Sequence, residues 1–160
     1  MFDVRNRQAD DMDGCVRALA SVHEIGGYPL NWPDDPARWL TPTGMLEAWV
    51  CAIEESITGH VLVRQPSFAT IGQDAAELSR LFVSPAAQRR GIAQALVATT
   101  MRWAAANHLN LVLEVTEHLH AARVLYERTG FRLVDTRRAG WTAPDGEPVT
   151  LHEYIWNPAG

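Results

Sequence analysis

The chain has 160 residues, of which 47% are hydrophobic and 21% charged, and its net charge is −5 at pH 7. This composition is ordinary for a globular protein. The length predicts one domain over 1–160 with a sizeable core, and the negative charge argues against a nucleic-acid partner. No apolar run is long enough to span a bilayer and residues 1–5 lack the pattern of a signal peptide, so we expect a cytoplasmic protein that does not enter a membrane.

The first half of the chain predicts one strand, two helices and a hairpin. Alternation near the start indicates a strand, apolar residues at helical spacing indicate a helix that ends at Gly26, and Asp35 before Pro36 indicates a second helix start. The expected elements are a strand over 2–7, a helix from a cap at Asp10 to about His23, a short helix over 36–40, strands over 49–53 and 60–64, and a turn over 54–59 between them. Cys15 and Cys51 lack metal-ligand spacing, so we expect buried, reduced thiols.

The second half predicts a parallel crossover followed by a final hairpin. The expected elements are a polar loop over 65–75, a strand over 76–83, an amphipathic helix over 91–107, a parallel strand over 111–115, a helix over 120–129, and strands over 131–138 and 149–156 with a turn at 144–146. The fold class is therefore α/β (α+β), with a central, twisted, mixed sheet of about seven strands flanked by about four helices.

A basic, glycine-containing loop follows the strand that should end near Val83. Pro85 cannot donate to a sheet ladder, so the chain leaves the sheet there and begins a helix over 88–93. The first N–H groups of a helix have no internal partner, and Arg89 and Arg90 add two guanidinium groups, so the loop can hold an anion such as a pyrophosphate. Packing and solubility alone would also account for glycine and arginine in such a turn.

Two motifs in this region resemble one known family. The segment V-x-P-x-x-Q-R-R-G-I-A over 83–93 resembles the acetyl-CoA loop of the GCN5-related N-acetyltransferase (GNAT) family, with Gln88, Gly91 and Ala93 at its three fixed positions. The segment A-x-x-L-Y-x-x-x-G-F over 122–131 resembles its second signature. The resemblance covers about 76–134 and implies a GNAT-like fold, in which the fourth and fifth strands splay apart and admit the pantetheine arm.

The resemblance implies an N-acetyltransferase that uses acetyl-CoA as co-substrate and needs no metal. The amine would attack directly in a ternary complex, and the N–H of Val83 would polarise the thioester carbonyl. The implied cofactor-binding residues are Leu81, Phe82, Val83, Gln88, Arg89, Arg90, Gly91, Ile92, Ala93, His120 and Tyr126.

Two residues are the candidates for proton transfer. Tyr126 matches the family's tyrosine and would protonate the leaving thiolate, although it could instead only pack between helix and sheet. Glu77 is the candidate base. It lies six positions before Val83, so a regular strand would put both side chains on one face, and burial beside a ligand would make its carboxylate more ready to take a proton. A structural ion pair is the alternative role for Glu77, and Glu114, His118 and His120 compete with it as base.

The acceptor site is expected along the loop over 26–36. Tyr28, Asn31 and Trp32 could hold an amine there with help from nearby aspartates, or Trp32 could only anchor the loop. Trp141 and Tyr154 are further candidates for lining the cleft. The sequence leaves open whether the amine is a small metabolite, a peptide terminus or a lysine, and whether the protein is a homodimer.

One position departs from the family pattern. The second signature usually begins with Asn three residues before Ala122, and Leu119 stands there with no polar atom to support the cofactor or cap the helix. This difference motivates an alternative function, a catalytically inactive CoA-binding or acyl-CoA-binding sensor or interaction module. An ATP or dinucleotide site is disfavoured, since the sequence has neither G-x-x-x-x-G-K-[ST] nor G-x-G-x-x-G.

Overall fold

A seven-stranded sheet runs through the protein, a computed structural model of which describes residues 1–69 and 74–158. Its strands are Asp3–Asn6 (β1), Met45–Ile53 (β2), Ser56–Arg64 (β3), Ala75–Val83 (β4), Asn110–Thr116 (β5), Arg132–Thr142 (β6) and Pro148–Trp156 (β7). The strand order is β1-β2-β3-β4-β5-β7-β6, and β4 with β5 is the parallel pair. The predicted mixed sheet with a parallel crossover is therefore confirmed.

Helices cover both faces of this sheet in the described residues. They are Met12–Gly26 (α1), Pro36–Trp39 (α2), Ile92–Ala106 (α3) and His120–Arg128 (α4). Leu96 and Val97 of α3 belong to the larger apolar cluster, and Leu19 of α1 belongs to a second one across the sheet. Cys15 and Cys51 are fully buried free thiols, one in each cluster, as predicted.

Several element ends differ from the prediction. The first long helix begins at Met12 rather than after Asp10, because the carboxylate of Asp11 accepts from the Gln8 N–H (2.6 Å) and pairs with Arg5. The turn between β2 and β3 is only Glu54 and Glu55, both with positive φ. Two-residue turns of this kind usually contain Asn or Gly and rarely Glu. The sequence therefore contained no sign that the turn would be only two residues long.

A β-bulge interrupts β4 and changes which way its side chains point. Leu62 of β3 pairs with Ser79, whereas His60 pairs with Phe82, so β4 holds one extra residue, and Arg80 within it has φ +55°. An extra residue reverses the alternation of side chains beyond it.

The prediction that Glu77 and Val83 share one face of the sheet is wrong for this reason. Ala76 and Leu78 pack in the larger cluster together with Val83, while Phe82 packs in the cluster beside α1. Glu77 alternates with Ala76 and Leu78, so its side chain lies on the face opposite that of Val83.

Candidate functional site

The parallel strands β4 and β5 separate shortly after they meet. They pair at Ala75–Asn110, Ala76–Leu111 and Glu77–Val112. Beyond Glu77, the pairs that β4 makes with other described strands are all on its β3 side. The Ser84 N–H donates to the Thr58 carbonyl across that side (2.8 Å). Because successive N–H groups of a strand point to opposite edges, the Val83 N–H points into the gap between β4 and β5.

A cavity of about 540 Å³, here called the loop cavity, opens beside the end of β4 and the start of α3. Eight of the predicted cofactor residues line it: Leu81, Phe82, Val83, Gln88, Arg89, Gly91, Ile92 and Ala93. Arg90 and His120 are not among its lining residues, and Tyr126 lines the neighbouring cavity instead. The structure therefore places most of the predicted cofactor-binding residues around one cavity.

The backbone of the loop is held in an unusual shape. The side chain of Gln88 donates from Nε2 to the Val83 carbonyl (3.2 Å), which ties the loop to the strand. Arg89 and Gly91 have φ +66° and +82°, and Gly91 is the residue before α3, which begins one residue later than predicted. A Cβ at Gly91 would meet nothing within 4 Å, so the backbone there is open to a ligand.

A second cavity of about 470 Å³, here called the acceptor cavity, lies at the Glu77 side of the gap. Tyr28 and Asn31, two of the residues predicted to bind the acceptor, line this cavity, and so does Trp141. Trp32 is not among its lining residues, and its ring instead packs beside His23, at a centroid separation of 5.2 Å. Tyr154 is fully buried, and its hydroxyl donates to Glu127 (2.6 Å) rather than reaching the cavity.

Tyr126 lies in the third-last position of α4 and lines the acceptor cavity. Its ring also packs against Phe131 and Tyr154, with centroid separations of 5.6 Å and 6.3 Å. Burial raises the pKa of the Tyr126 phenol well above its ordinary value, because the phenolate would lose its hydration. Tyr126 therefore packs in the core and also borders the cavity, with its phenol protonated at neutral pH.

Two carboxylates reach the acceptor cavity. Oε1 of Glu77 accepts from the N–H (2.9 Å) and the hydroxyl (2.7 Å) of Ser67, and no ion pair to Glu77 occurs within residues 1–69 and 74–158. Glu114 is paired with Arg137, which also binds Glu153 (2.8 Å). Burial raises the pKa of Glu114, opposed by the nearby charge of Arg137.

The other competitors for the base lie elsewhere. His118 does not line the acceptor cavity, although it contacts Oγ1 of Thr116 (2.8 Å), which does, and the Gly27 carbonyl (3.3 Å). His120 is exposed and lines neither cavity. In the part of the chain that the structure describes, no group of three or more His, Cys, Asp or Glu side chains could hold a metal ion. Within the same part no helix is long and apolar enough to cross a membrane.

Sequence reasoning missed four polar residues of the acceptor cavity, which are Ser67, Ser79, Arg80 and Thr116. Ser67 lies in the loop to which we assigned no chemistry, and its contact with Glu77 spans ten positions that no local pattern links. Arg80 also lines the cavity. The presence of a charged residue between Leu78 and Leu81 in a buried strand was a signal that could have identified it.

The two cavities share one wall. Tyr28, Leu81, Leu119 and Ala122 line both of them. Leu119 makes no capping hydrogen bond to α4, as its apolar side chain predicts, and it faces the cavities where His120 does not. A ligand in either cavity therefore contacts the same apolar surface.

Comparison with known proteins identifies the family. The model of the acetyltransferase (GNAT) family matches residues 16–131. No curated protein matches the chain by sequence. The structure is similar to an N-acetyltransferase from Staphylococcus aureus Mu50 (18% identity, TM-score 0.79, 99% of each chain covered).

Two further solved structures share this fold. One is the ribosomal-protein-S18-alanine N-acetyltransferase from Escherichia coli (19% identity, TM-score 0.77, 98% of this chain and 94% of that chain covered). The other is Arabidopsis thaliana NAA60 in complex with acetyl-CoA (16% identity, TM-score 0.76, 100% of each chain covered). With the family model matched over most of its length, the chain belongs to the acetyltransferase (GNAT) family.

Proposed function

We propose that this protein is an N-acetyltransferase that moves an acetyl group from acetyl-CoA to a primary amine, with residues 1–160 acting as one catalytic domain. The observation that carries the proposal is the meeting of two cavities at the gap between β4 and β5, with the Val83 N–H and the Tyr126 side chain beside it. Two substrates that must react with each other need adjoining sites and fixed orientation. The acetyl-CoA complex of NAA60, which shares this fold, supports the choice of donor.

The loop cavity is the proposed site for acetyl-CoA. The N–H groups at the start of α3 have no partner within the helix and suit the pyrophosphate, with Arg89 adding positive charge. Arg90 and His120 would contribute only from outside the cavity lining. The pantetheine arm would lie along the unpaired edge of β4 and take hydrogen bonds as an added strand does.

The acceptor cavity is the proposed site of the amine. A carboxylate, for which Glu77 is our candidate, takes the proton from the ammonium, and the free nitrogen attacks the thioester carbonyl carbon. The Val83 N–H stabilises the oxyanion that forms. As the carbon–sulfur bond breaks, Tyr126 gives its proton to the departing thiolate. The acetylated nitrogen then loses its extra proton to the Tyr126 phenolate, which leaves a neutral amide and restores the phenol.

A second candidate function is binding without transfer. Leu119, where the family pattern has Asn, motivates a CoA-binding sensor or interaction module. The presence of Tyr126 and two carboxylates in the acceptor cavity favours the enzyme, because a sensor would need neither a proton donor nor a base there.

The test has two stages. We expect calorimetric titration to give micromolar binding of acetyl-CoA and CoA, and a panel of amines to include acceptors that release free thiol from acetyl-CoA. Absence of binding at high concentration would reject the cofactor assignment and the enzyme with it. Binding without thiol release from any amine would favour the sensor.

We predict that Glu77→Gln lowers kcat/KM by roughly 100-fold at neutral pH, the usual contribution of a general base. The amide is close in size to the carboxylate and can still accept from Ser67, so the fold should be kept. The measurement is kcat/KM of the variant and of the wild type at neutral pH, by thiol release from acetyl-CoA.

Glu114→Gln is the matched control, since it removes the same charge from the same cavity. Burial raises the pKa of Glu114, so a base at this position would lose activity as pH falls through a value above the ordinary glutamate range. Loss of that acid limb in Glu114→Gln, with Glu77→Gln unaffected, would move the role of base to Glu114.

A further inference from the structure

Arg80 occupies a backbone conformation that arginine rarely adopts. It is the residue of the β4 bulge with φ +55°, where the Cβ of an L-residue is crowded. The carbonyl of Arg80 contacts Nδ1 of the buried His60 (2.9 Å), which helps to hold this conformation. Bulges near sites often serve to aim a side chain, and this bulge sends the Arg80 side chain to the acceptor cavity.

The guanidinium group of Arg80 is held rigidly. Nε donates to the Trp39 carbonyl (3.2 Å), Nη1 donates to Ser79 Oγ (2.9 Å), and Cζ lies 4.2 Å from the centroid of the Trp39 ring. Burial lowers the pKa of Arg80, but a guanidinium still carries its charge at neutral pH. A fixed positive charge therefore forms part of the cavity wall.

This charge has no carboxylate partner. Among residues 1–69 and 74–158, no Asp or Glu oxygen lies within 4 Å of Arg80, and Nη2 has no hydrogen-bond partner. Arg5 and Arg137, by contrast, are paired with carboxylates, and both terminal nitrogens of Arg7 are hydrogen-bonded. Arg80 is half-buried, and charges removed from water are usually paired, so its open Nη2 can take an anion that enters the cavity.

We propose that the acceptor carries an oxyanion close to its reacting amine, as an amino acid or an aminophosphonate does, and that Arg80 binds this oxyanion. The proposal rests on the proposed acetyl transfer and specifies its substrate class. Carboxylates and phosphonates take charge-assisted hydrogen bonds from guanidinium nitrogens. Glu77 and Glu114 in the same cavity attract the ammonium group, so the wall carries both signs of charge that a zwitterion needs.

The test compares acceptors that differ only in the anion. The panel holds the standard amino acids, their amides, the corresponding decarboxylated amines and the aminophosphonate analogues, each assayed by thiol release from acetyl-CoA. We expect the best oxyanion-bearing acceptor to exceed its own amide by roughly 100-fold in kcat/KM, because a site built for a charged group is left unpaired by the neutral one. The relative rates of the carboxylate and phosphonate arms identify which oxyanion is preferred.

Variants of Arg80 then test the residue. Arg80→Gln and Arg80→Asn should raise the KM of the oxyanion-bearing acceptor and remove its advantage over the amide, with little change for the amide itself. Asn tolerates positive φ better than Gln does, so Arg80→Asn keeps the bulge and serves as the test if Arg80→Gln fails to fold. Arg38→Gln is the matched control, since Arg38 is exposed on α2 next to Trp39.

Three outcomes would overturn the inference while acetyl transfer stands. They are equal kcat/KM for amino acids and their amides, a preference for the decarboxylated amines over the amino acids, and an unchanged preference in folded Arg80→Asn. The absence of transfer to every acceptor, despite acetyl-CoA binding, would instead reject the proposed function. The two failures are therefore told apart by whether any amine is acetylated.

Discussion

Gly91→Val is expected to weaken acetyl-CoA binding by at least roughly 100-fold while the protein stays folded. Gly91 has φ +82° immediately before α3, and a β-branched residue there must either strain the backbone, at about 1–3 kcal/mol, or change the loop. Either response disturbs the N–H groups that we propose for the pyrophosphate. Calorimetry with acetyl-CoA measures the effect, and circular dichroism verifies the fold.

Gly146→Val is the matched control for this prediction. Gly146 has φ +86° in the turn between β6 and β7, and a Cβ there also meets nothing within 4 Å. Both variants should therefore lose similar stability, but Gly146→Val should bind acetyl-CoA as the wild type does. Equal affinity in the two folded variants would mean that the loop over 88–93 is only structural.

Tyr126→Phe is expected to lower kcat by roughly 100-fold to 1,000-fold with the acetyl-CoA affinity nearly unchanged. The variant keeps the ring that packs against Phe131 and removes only the hydroxyl. Because burial raises the pKa of Tyr126, its protonated form persists through the alkaline range where an ordinary tyrosine ionises near 10. Titration of Tyr126 should therefore cause no loss of wild-type activity up to that pH.

Tyr154→Phe is the control for the loss of a buried phenol. The Tyr154 ring lies 6.3 Å from that of Tyr126, and its hydroxyl contacts Glu127 and Arg123. This variant should lose about 1 kcal/mol of stability, the usual net value of a hydrogen bond, with kcat close to wild type. If Tyr126→Phe also turned over at the wild-type rate, Tyr126 would serve packing alone, and solvent would protonate the thiolate.

The periodic elements could be predicted from the sequence because their signals are local. The apolar run of β5 and the amphipathic pattern of α3 indicated a strand, a crossover helix and a parallel partner, and the structure has all three. Most of the loop-cavity residues were also predictable, since Gln88, Gly91 and Ala93 form a contiguous motif. A short motif keeps its residues together whatever the rest of the fold does.

The acceptor cavity was harder to predict because its geometry depends on the bulge and on distant contacts. Counting by twos along β4 put Glu77 and Val83 on one face, and the extra residue at Arg80 reversed this. A bulge with an arginine at positive φ has no signature, since glycine or asparagine would be the expected residue. The hydrogen bonds from Ser67 to Glu77 arise only when a loop folds back over the strand.

The wall that both cavities share has a thermodynamic consequence. Tyr28, Leu81, Leu119 and Ala122 can contact a ligand from either side, so any shift that one ligand makes in them alters the site of the other. Such linkage is reciprocal: the factor by which acetyl-CoA changes acceptor affinity equals the factor by which the acceptor changes acetyl-CoA affinity. Each substrate would thereby act as an effector of its own co-substrate.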